Sequence, residues 1–287
     1  MATRKGGTGV RAWVEQMVIP TYERGPEDKN PPLLMDWRNP IHPGSSIIYP
    51  YPMQETLFDR KAERPWQAYC LENEYLRLAV LPELGGRLLY LYDKLAGEEA
   101  LYHNHVLKWA RIGIRGAWVS GGIEWNFPNG HTVTSSSPVD CALRPNADGS
   151  ATILLGDVER VSRMRWRVEL TLRRGAALLE ATMHLTNRTP FPGRFWFWAN
   201  SAAPLSKGMQ YVSSATKVFT LKDVLDFPVH HGVDLSWDRN HSEPRDMFCL
   251  NPREDFVGWY NHDLKRGLVN VADRTEAGGT EFYTWGS

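Results

Sequence analysis

Between Gly113 and His131 the chain reads GIRGAWVSGGIEWNFPNGH, which packs five glycines, two tryptophans, Arg115, Glu124, Asn126 and His131 into 19 residues. Glycines let a backbone bend sharply or approach a ligand closely. Here they bracket a carboxylate flanked by Ile123 and Trp125. That apolar flank is expected to desolvate Glu124 in part, which raises its pKa and suits it to proton donation. The structural alternative is a loop-fixing salt bridge from Glu124 to Arg111 or Arg115.

Two further clusters carry carboxylates close to a tryptophan. His230, His231 and Asp234 lie in PVHHGVDLSW, and Arg253, Glu254 and Asp255 lie in NPREDFVGWYNHD. Two carboxylates on one cleft are the requirement for glycoside hydrolysis, and their separation sets the stereochemical outcome. Asp234 and Asp255 are therefore the candidates for a second acid beside Glu124. For either, the alternative is a solvated or salt-bridged loop charge. His103 and His105 in LYHNHV are two residues apart and would share one face of a strand, as metal ligands can. No third ligand accompanies them at a fixed spacing, so a hydrogen-bonding role at a pocket rim is expected and no metal is assigned. The sequence has no GxxxxGK[ST], no GxGxxG after a strand, no GxSxG and no HExxH. Phosphate-cradle, dinucleotide, serine-hydrolase and zincin readings lose their main support.

The elements that must position these residues are strands. In RMRWRVELTL, Met164, Trp166, Val168, Leu170 and Leu172 face one way while Arg165, Arg167, Glu169 and Thr171 face the other. Such alternation marks a half-buried antiparallel strand. Arg174-Gly175 turns the chain into LLEATMHLTN, and Asp148-Gly149 is a hairpin signal between VDCAL and ATILL. Further strands are expected at Tyr75 to Leu81, Arg87 to Tyr92, Arg194 to Asn200, Phe256 to Tyr260, Leu268 to Ala272 and Glu281 to Trp285. Helical patterns are scarce, and the best of the later ones, LKDVLDF, spans barely two turns. Residues 1–65 carry proline at a density that breaks helices and ladders. They are expected to form an irregular arm packed on a single β-sandwich domain over 66–287.

Composition sets the outer limits. The 287 residues are 42% apolar, and 33 basic side chains balance 33 acidic ones. A chain this apolar and weakly charged is not disordered, and charge balance removes the footprint of a general nucleic-acid or anionic-membrane binder. Cys70, Cys141 and Cys249 are widely spaced and read as buried thiols in a reducing compartment. The N-terminus has no continuous apolar stretch of the secretory kind, and nothing approaches a membrane span. A cytoplasmic protein is expected. The chain also holds 12 Trp, 11 Tyr and 10 Phe, enough to fill a large β core and still form platforms for amphipathic ligands.

A family resemblance runs through nearly the whole chain. The run LENEYLRLAVLPELGGRLLYLYDK resembles the opening of galactose-mutarotase-like proteins. LLEATMHLTNRTPFPGRFWFWAN resembles their strand, T-N-x-T-x-x-P loop and sugar-facing strand. With IPTYERGPEDKNPP, RGAWVSGGIEWNFPNGH and RMRWRVELTLR, the chain resembles an uncharacterised bacterial family of that superfamily, often found ahead of tetratricopeptide repeats. The resemblance implies an all-β supersandwich with a sugar-binding cleft on its concave sheet. It also implies two departures. Aldose epimerases of the superfamily use a His at the end of the sugar-facing strand and a late Glu, whereas FWFWAN sets Trp198 at the His position. The sequence ends at Trp285-Gly286-Ser287, before the strand expected to bear the late Glu. Both departures weigh against mutarotation.

The reading that follows is a carbohydrate-active enzyme, a glycoside hydrolase with Glu124 as principal acid or nucleophile and Asp234 or Asp255 as the second carboxylate. Arg87, Arg115, Asn126, His131, Asn200 and His231 would hold sugar hydroxyls. Trp118, Trp125 and Trp198 would form stacking platforms. The alternatives are an epimerase using His131 or His231 as acid, and a non-catalytic sugar-binding or interaction module. The expected partner is a small-molecule sugar or oligosaccharide, with no cofactor, no nucleic acid and no membrane. The oligomeric state is left open.

Overall fold

The structure, a computed structural model, describes residues 9–29, 48–276 and 278–286. Residues 30–47 of the proline-rich stretch, and 1–8 of the charged N-terminus, lie outside them. The architecture is all-β, as the sequence patterning requires. Among the described residues the only helical pieces are single 3-10 turns at Pro82–Leu84 and Asp238–Asn240, and no helix is long and apolar enough to cross a membrane. The chain divides into two compact units, Met1–Ala202 and Ala203–Ser287.

In the first unit the strands are, in chain order, β1 (Arg11–Arg24), β2 (Leu57–Glu72), β3 (Leu76–Leu81), β4 (Arg87–Asp93), β5 (Glu98–Glu99), β6 (Ala110–Gly113) and β7 (Gly116–Trp118). There follow β8 (Ile123–Asn126), β9 (Asp140–Pro145), β10 (Ala151–Val158), β11 (Arg165–Leu172), β12 (Leu179–Thr186) and β13 (Trp198–Ser201). One sheet runs β1-β2-β3-β4-β8-β13 with β5 beside β4; the other runs β12-β11-β10-β9, and β6 and β7 pair with each other.

The irregular arm expected over 1–65 is corrected here. β1 and β2 are long strands paired from Arg11↔Glu72 to Tyr22↔Lys61, and residue 65 lies inside β2. Prolines did not break this ladder because of the side they face. Pro20 accepts from Leu107 N with its carbonyl (2.9 Å), so the N–H it lacks is one that β2 does not need. The inward face of β2 then buries Trp66, Ala68 and Cys70 against Ala79, Leu81 and Leu89. Trp66 is buried completely, and its indole N–H donates to Thr21 Oγ1 at 3.0 Å.

β11 keeps its alternation: Trp166, Val168, Leu170 and Leu172 are buried while Arg165 is exposed. The β9–β10 hairpin turns at Asp148-Gly149, where Gly149 has φ +81° and Ser150 N donates to Asp148 Oδ1 (3.0 Å). All three cysteines are free thiols. Burial pushes the Cys70 thiol up to about 12, helped by the neighbouring Glu15 carboxylate, and burial pushes Cys141 up to about 12 as well.

The second unit contains β14 (Met209–Ser213), β15 (Lys217–Phe219), β16 (Val224–Asp226), β17 (Val229–His230), β18 (Val233–Asp234), β19 (Arg245–Leu250), β20 (Phe256–Asn261), β21 (Arg266–Val271) and β22 (Glu281–Thr284). They form the sheets β14-β20-β21 and β16-β15-β19-β22 and the hairpin β17-β18. Met209, Tyr211, Val218, Met247, Trp259 and Phe282 make its core. Asp238 ties this core together, accepting from Tyr211 Oη and Thr284 Oγ1, both at 2.6 Å. LKDVLDF is not helical. Leu221 adopts φ +66° in a turn, and Val224–Asp226 pairs with β15, because two turns are too few to sustain a helix against an available ladder.

Candidate functional site

The site is built by the short ladder of β8 and β13. Its register pairs Trp198↔Asn126, Ala199↔Trp125 and Asn200↔Glu124. Side chains alternate across a strand, so Glu124, Asn126, Trp198 and Asn200 share one face. Trp125 takes the other face and donates its indole N–H to Gly86 O (3.0 Å), so it is no platform for this site. The entry into β8 depends on Gly121 and Gly122, both at positive φ; a Cβ on Gly122 would sit 1.9 Å from Leu88 O. That close approach brings β8 onto β4, whose first residue is Arg87. Arg87 Nη1 donates to Gly121 O at 2.7 Å.

After β8 the chain returns as a loop pinned by its own polar groups. Thr132 N donates to Asn126 Oδ1 (3.2 Å), Thr132 Oγ1 donates to Phe127 O (2.5 Å), and Ile114 N donates to His131 O (3.1 Å). This fixes His131 over Glu124. One oxygen of that buried carboxylate, Oε2, accepts from His131 Nδ1 and from the Trp118 indole, each at 3.0 Å. Arg87 Nη2 lies 3.8 Å from the same oxygen, near enough for charge attraction but beyond hydrogen-bond length.

These contacts reverse the pKa expected for Glu124. Burial raises it, but the His131 hydrogen bond, the Arg87 and His131 charges and the Trp118 N–H together outweigh burial and hold it below its ordinary value. Glu124 is therefore an ionised acceptor and not a proton donor. The salt-bridge partner is also different from the two expected. Arg115 binds Glu27 (2.7 Å), Pro52 O (2.8 Å) and Ser137 Oγ (2.7 Å), a buried brace between loops, and Arg111 Nη2 donates to Glu55 O (3.1 Å). Because an ionised carboxylate only accepts, His131 must carry a proton on Nδ1. In the neutral ring the lone pair is then on Nε2.

Around this dyad several buried polar atoms lack hydrogen-bond partners: Glu124 Oε1, Arg87 Nε and Nη2, Asn126 Nδ2 and Trp198 Nε1. Aromatic rings border them. The Trp118 and His131 ring centroids are 5.2 Å apart, those of His131 and Trp198 5.5 Å, and those of Trp198 and Trp196 5.1 Å. Trp196 was not among the residues expected from sequence, although the alternation of FWFWAN sets it on the face of Trp198.

The remaining candidates take no part in the Glu124–His131 contact. Asn200 is exposed opposite Glu124. His103 Nδ1 lies 3.2 Å from Glu99 Oε1, and its ring is tilted against that of His105, with centroids 4.1 Å apart. In the second unit, Asp234 Oδ1 accepts from Ser236 N (3.0 Å) and Ser236 Oγ (2.7 Å), and Asp255 Oδ1 lies 3.7 Å from Arg274 Nε. His231 occupies the β17–β18 turn at φ +48°, against His230.

Known structures resemble this chain. A TPR-domain containing protein from Parabacteroides distasonis ATCC 8503 matches at 25% identity over 98% of this chain, with a TM-score of 0.84. This chain spans 47% of that one, about half its length. The Slr1438 protein from Synechocystis sp. PCC 6803 matches at 15% identity over 76% of this chain and 91% of its own, with a TM-score of 0.50, a likeness of fold. A protein of Escherichia coli K12 provisionally named an aldose 1-epimerase matches at 13% identity over 76% of this chain and 87% of its own, with a TM-score of 0.44. The architecture of this chain is all-β, built of several sheets. Residues 44–287 match the model of the Domain of unknown function (DUF5107), and the chain belongs to that family.

Proposed function

We propose that the β8–β13 face binds a carbohydrate ring, and that His131, oriented by Glu124, is the group that exchanges a proton with it. The observation that carries this reading is the set of unpartnered buried atoms on Glu124, Arg87, Asn126 and Trp198. Buried polar atoms are ordinarily satisfied, by protein or by something bound. One carboxylate acceptor and several N–H donors match a polyol, whose hydroxyls both donate and accept. An apolar ligand would leave them all unsatisfied, and an anion would meet the Glu124 charge. The half-buried Trp198 offers a ring face against which the C–H side of a sugar packs.

Within this reading the ionised Glu124 favours proton exchange at His131, of the kind a sugar epimerase needs, over hydrolysis with Glu124 as the acid. A hydrolase would need Asp234 or Asp255 as the proton donor. The test is saturation-transfer NMR with a panel of neutral aldoses, joined to NMR exchange between their anomers. Binding of at least one aldose is expected, with exchange accelerated by the protein. In His131→Gln the acceleration should fall about 10²–10⁴-fold, the usual contribution of a positioned acid or base, with binding retained. No aldose binding at millimolar concentration would refute the site; binding without accelerated exchange would refute the role of His131. Release of aglycone from chromogenic glycosides would favour the hydrolase.

A further inference from the structure

We infer that the site takes a sugar chain and not a single ring, with Trp196 as the platform for a second unit; this rests on the carbohydrate reading above. Trp196 N donates to Pro128 O at 2.6 Å, which continues the β8–β13 ladder two residues beyond Trp198↔Asn126. The backbone at Trp196 is thus held by the strand that holds the site, and its ring falls on the face of Glu124, Asn126 and Trp198. Phe195 takes the opposite face and packs on Phe127, with centroids 5.8 Å apart.

The path from Glu124 outward passes through His131, Trp198 and Trp196, with centroid steps of 5.5 and 5.1 Å. Exposure rises along it: the His131 side chain is 16% exposed, Trp198 is half-buried, and Trp196 is 51% exposed. The buried unpartnered polar atoms are Glu124 Oε1, Arg87 Nε and Nη2 and Asn126 Nδ2 at the inner end and Trp198 Nε1 midway along the path. A ligand matched to this gradient has one unit whose hydroxyls are engaged all round. A neighbouring unit would be touched on one face by an indole and would otherwise stay in water. A glycan or glycoside has that form; a free monosaccharide does not extend along the path to the half-exposed Trp196.

The loop before Trp196 is set by Asn187. Its Oδ1 accepts from Thr189 N (2.9 Å) and Thr189 Oγ1 (2.8 Å), and its Nδ2 donates to Phe191 O (2.6 Å). Stacking on an indole whose backbone is already held loses less conformational entropy than ordering a free loop would.

The readout is the ratio of monosaccharide to disaccharide dissociation constants, by calorimetry or NMR titration, for glucose against maltose and cellobiose and galactose against lactose. In the native chain the ratio is expected to reach tenfold or more for at least one pair. It should fall to about one in Trp196→Ala and recover in part in Trp196→Phe. Equal constants throughout, or a gain that survives Trp196→Ala, would overturn the outer platform while leaving the inner site intact. Failure of every mono- and disaccharide to bind would remove the carbohydrate reading, and the chain preference with it.

Discussion

Glu124 and Arg87 form a pair that is buried on both sides. Removing one charge from such a pair leaves the other uncompensated, at a cost of about 3–5 kcal/mol. Glu124→Gln is therefore expected to lose at least about 3 kcal/mol, a fall of roughly 6–12 °C in melting temperature for a domain of this size. Calorimetry checks this, and an unchanged midpoint would mean the pair contributes no net stability. The pH dependence has a definite sign. A carboxylate whose folded pKa lies below its unfolded value contributes stability above the unfolded pKa, about 4.3, and loses it as pH falls through the folded pKa. The Glu124 pKa is lowered, so the stability gap between native chain and Glu124→Gln should be full at pH 6 and shrink progressively below pH about 4. Urea unfolding at several pH values measures that gap, and a gap that widened on acidification would contradict the assigned direction.

At the scale of elements, the β4–β8 approach is the feature most sensitive to substitution. Gly122 combines φ +64° with a carbonyl where its Cβ would be. Gly122→Ala should destabilise by more than about 2 kcal/mol and weaken the site with it, since Arg87 and Glu124 meet across that contact. Urea unfolding of the variant provides the measurement; a smaller loss would show that β8 can shift at little cost. Period-two patterning made β11 and its hairpins legible, and the local glycine-rich segment made Glu124, Asn126 and His131 legible. The prolines of β1 and β2 misled because their effect depends on which side of the strand they face, which needs the partner. The Glu124 pKa misled because Arg87 and Trp118 reach it through folding, while its apolar chain neighbours point away. The strand alternation within IEWN already separates Trp125 from Glu124, so that misplacement was avoidable from sequence.

For the whole molecule, a formal charge of zero and a pI of about 7.1 remove the mutual repulsion that keeps folded chains apart. Light scattering should find attraction between chains strongest near pH 7 and weaker two units to either side. Attraction that stayed the same across that pH range would locate its source in an apolar patch instead of charge balance.

The Cys70 and Cys141 thiols, held near pKa 12, and Cys249, raised in the same direction by burial, make a chemically quiet background. A thiolate is the species that attacks maleimides and disulfide reagents, and at neutral pH almost none is present at these positions. Ellman's reagent should therefore count far less than one thiol per native chain within minutes, and all three in guanidinium. A single cysteine installed at exposed Ala147, in the turn before Gly149, would then take a fluorophore alone. The native cysteines could stay in place, and the chain could be labelled without first being rebuilt.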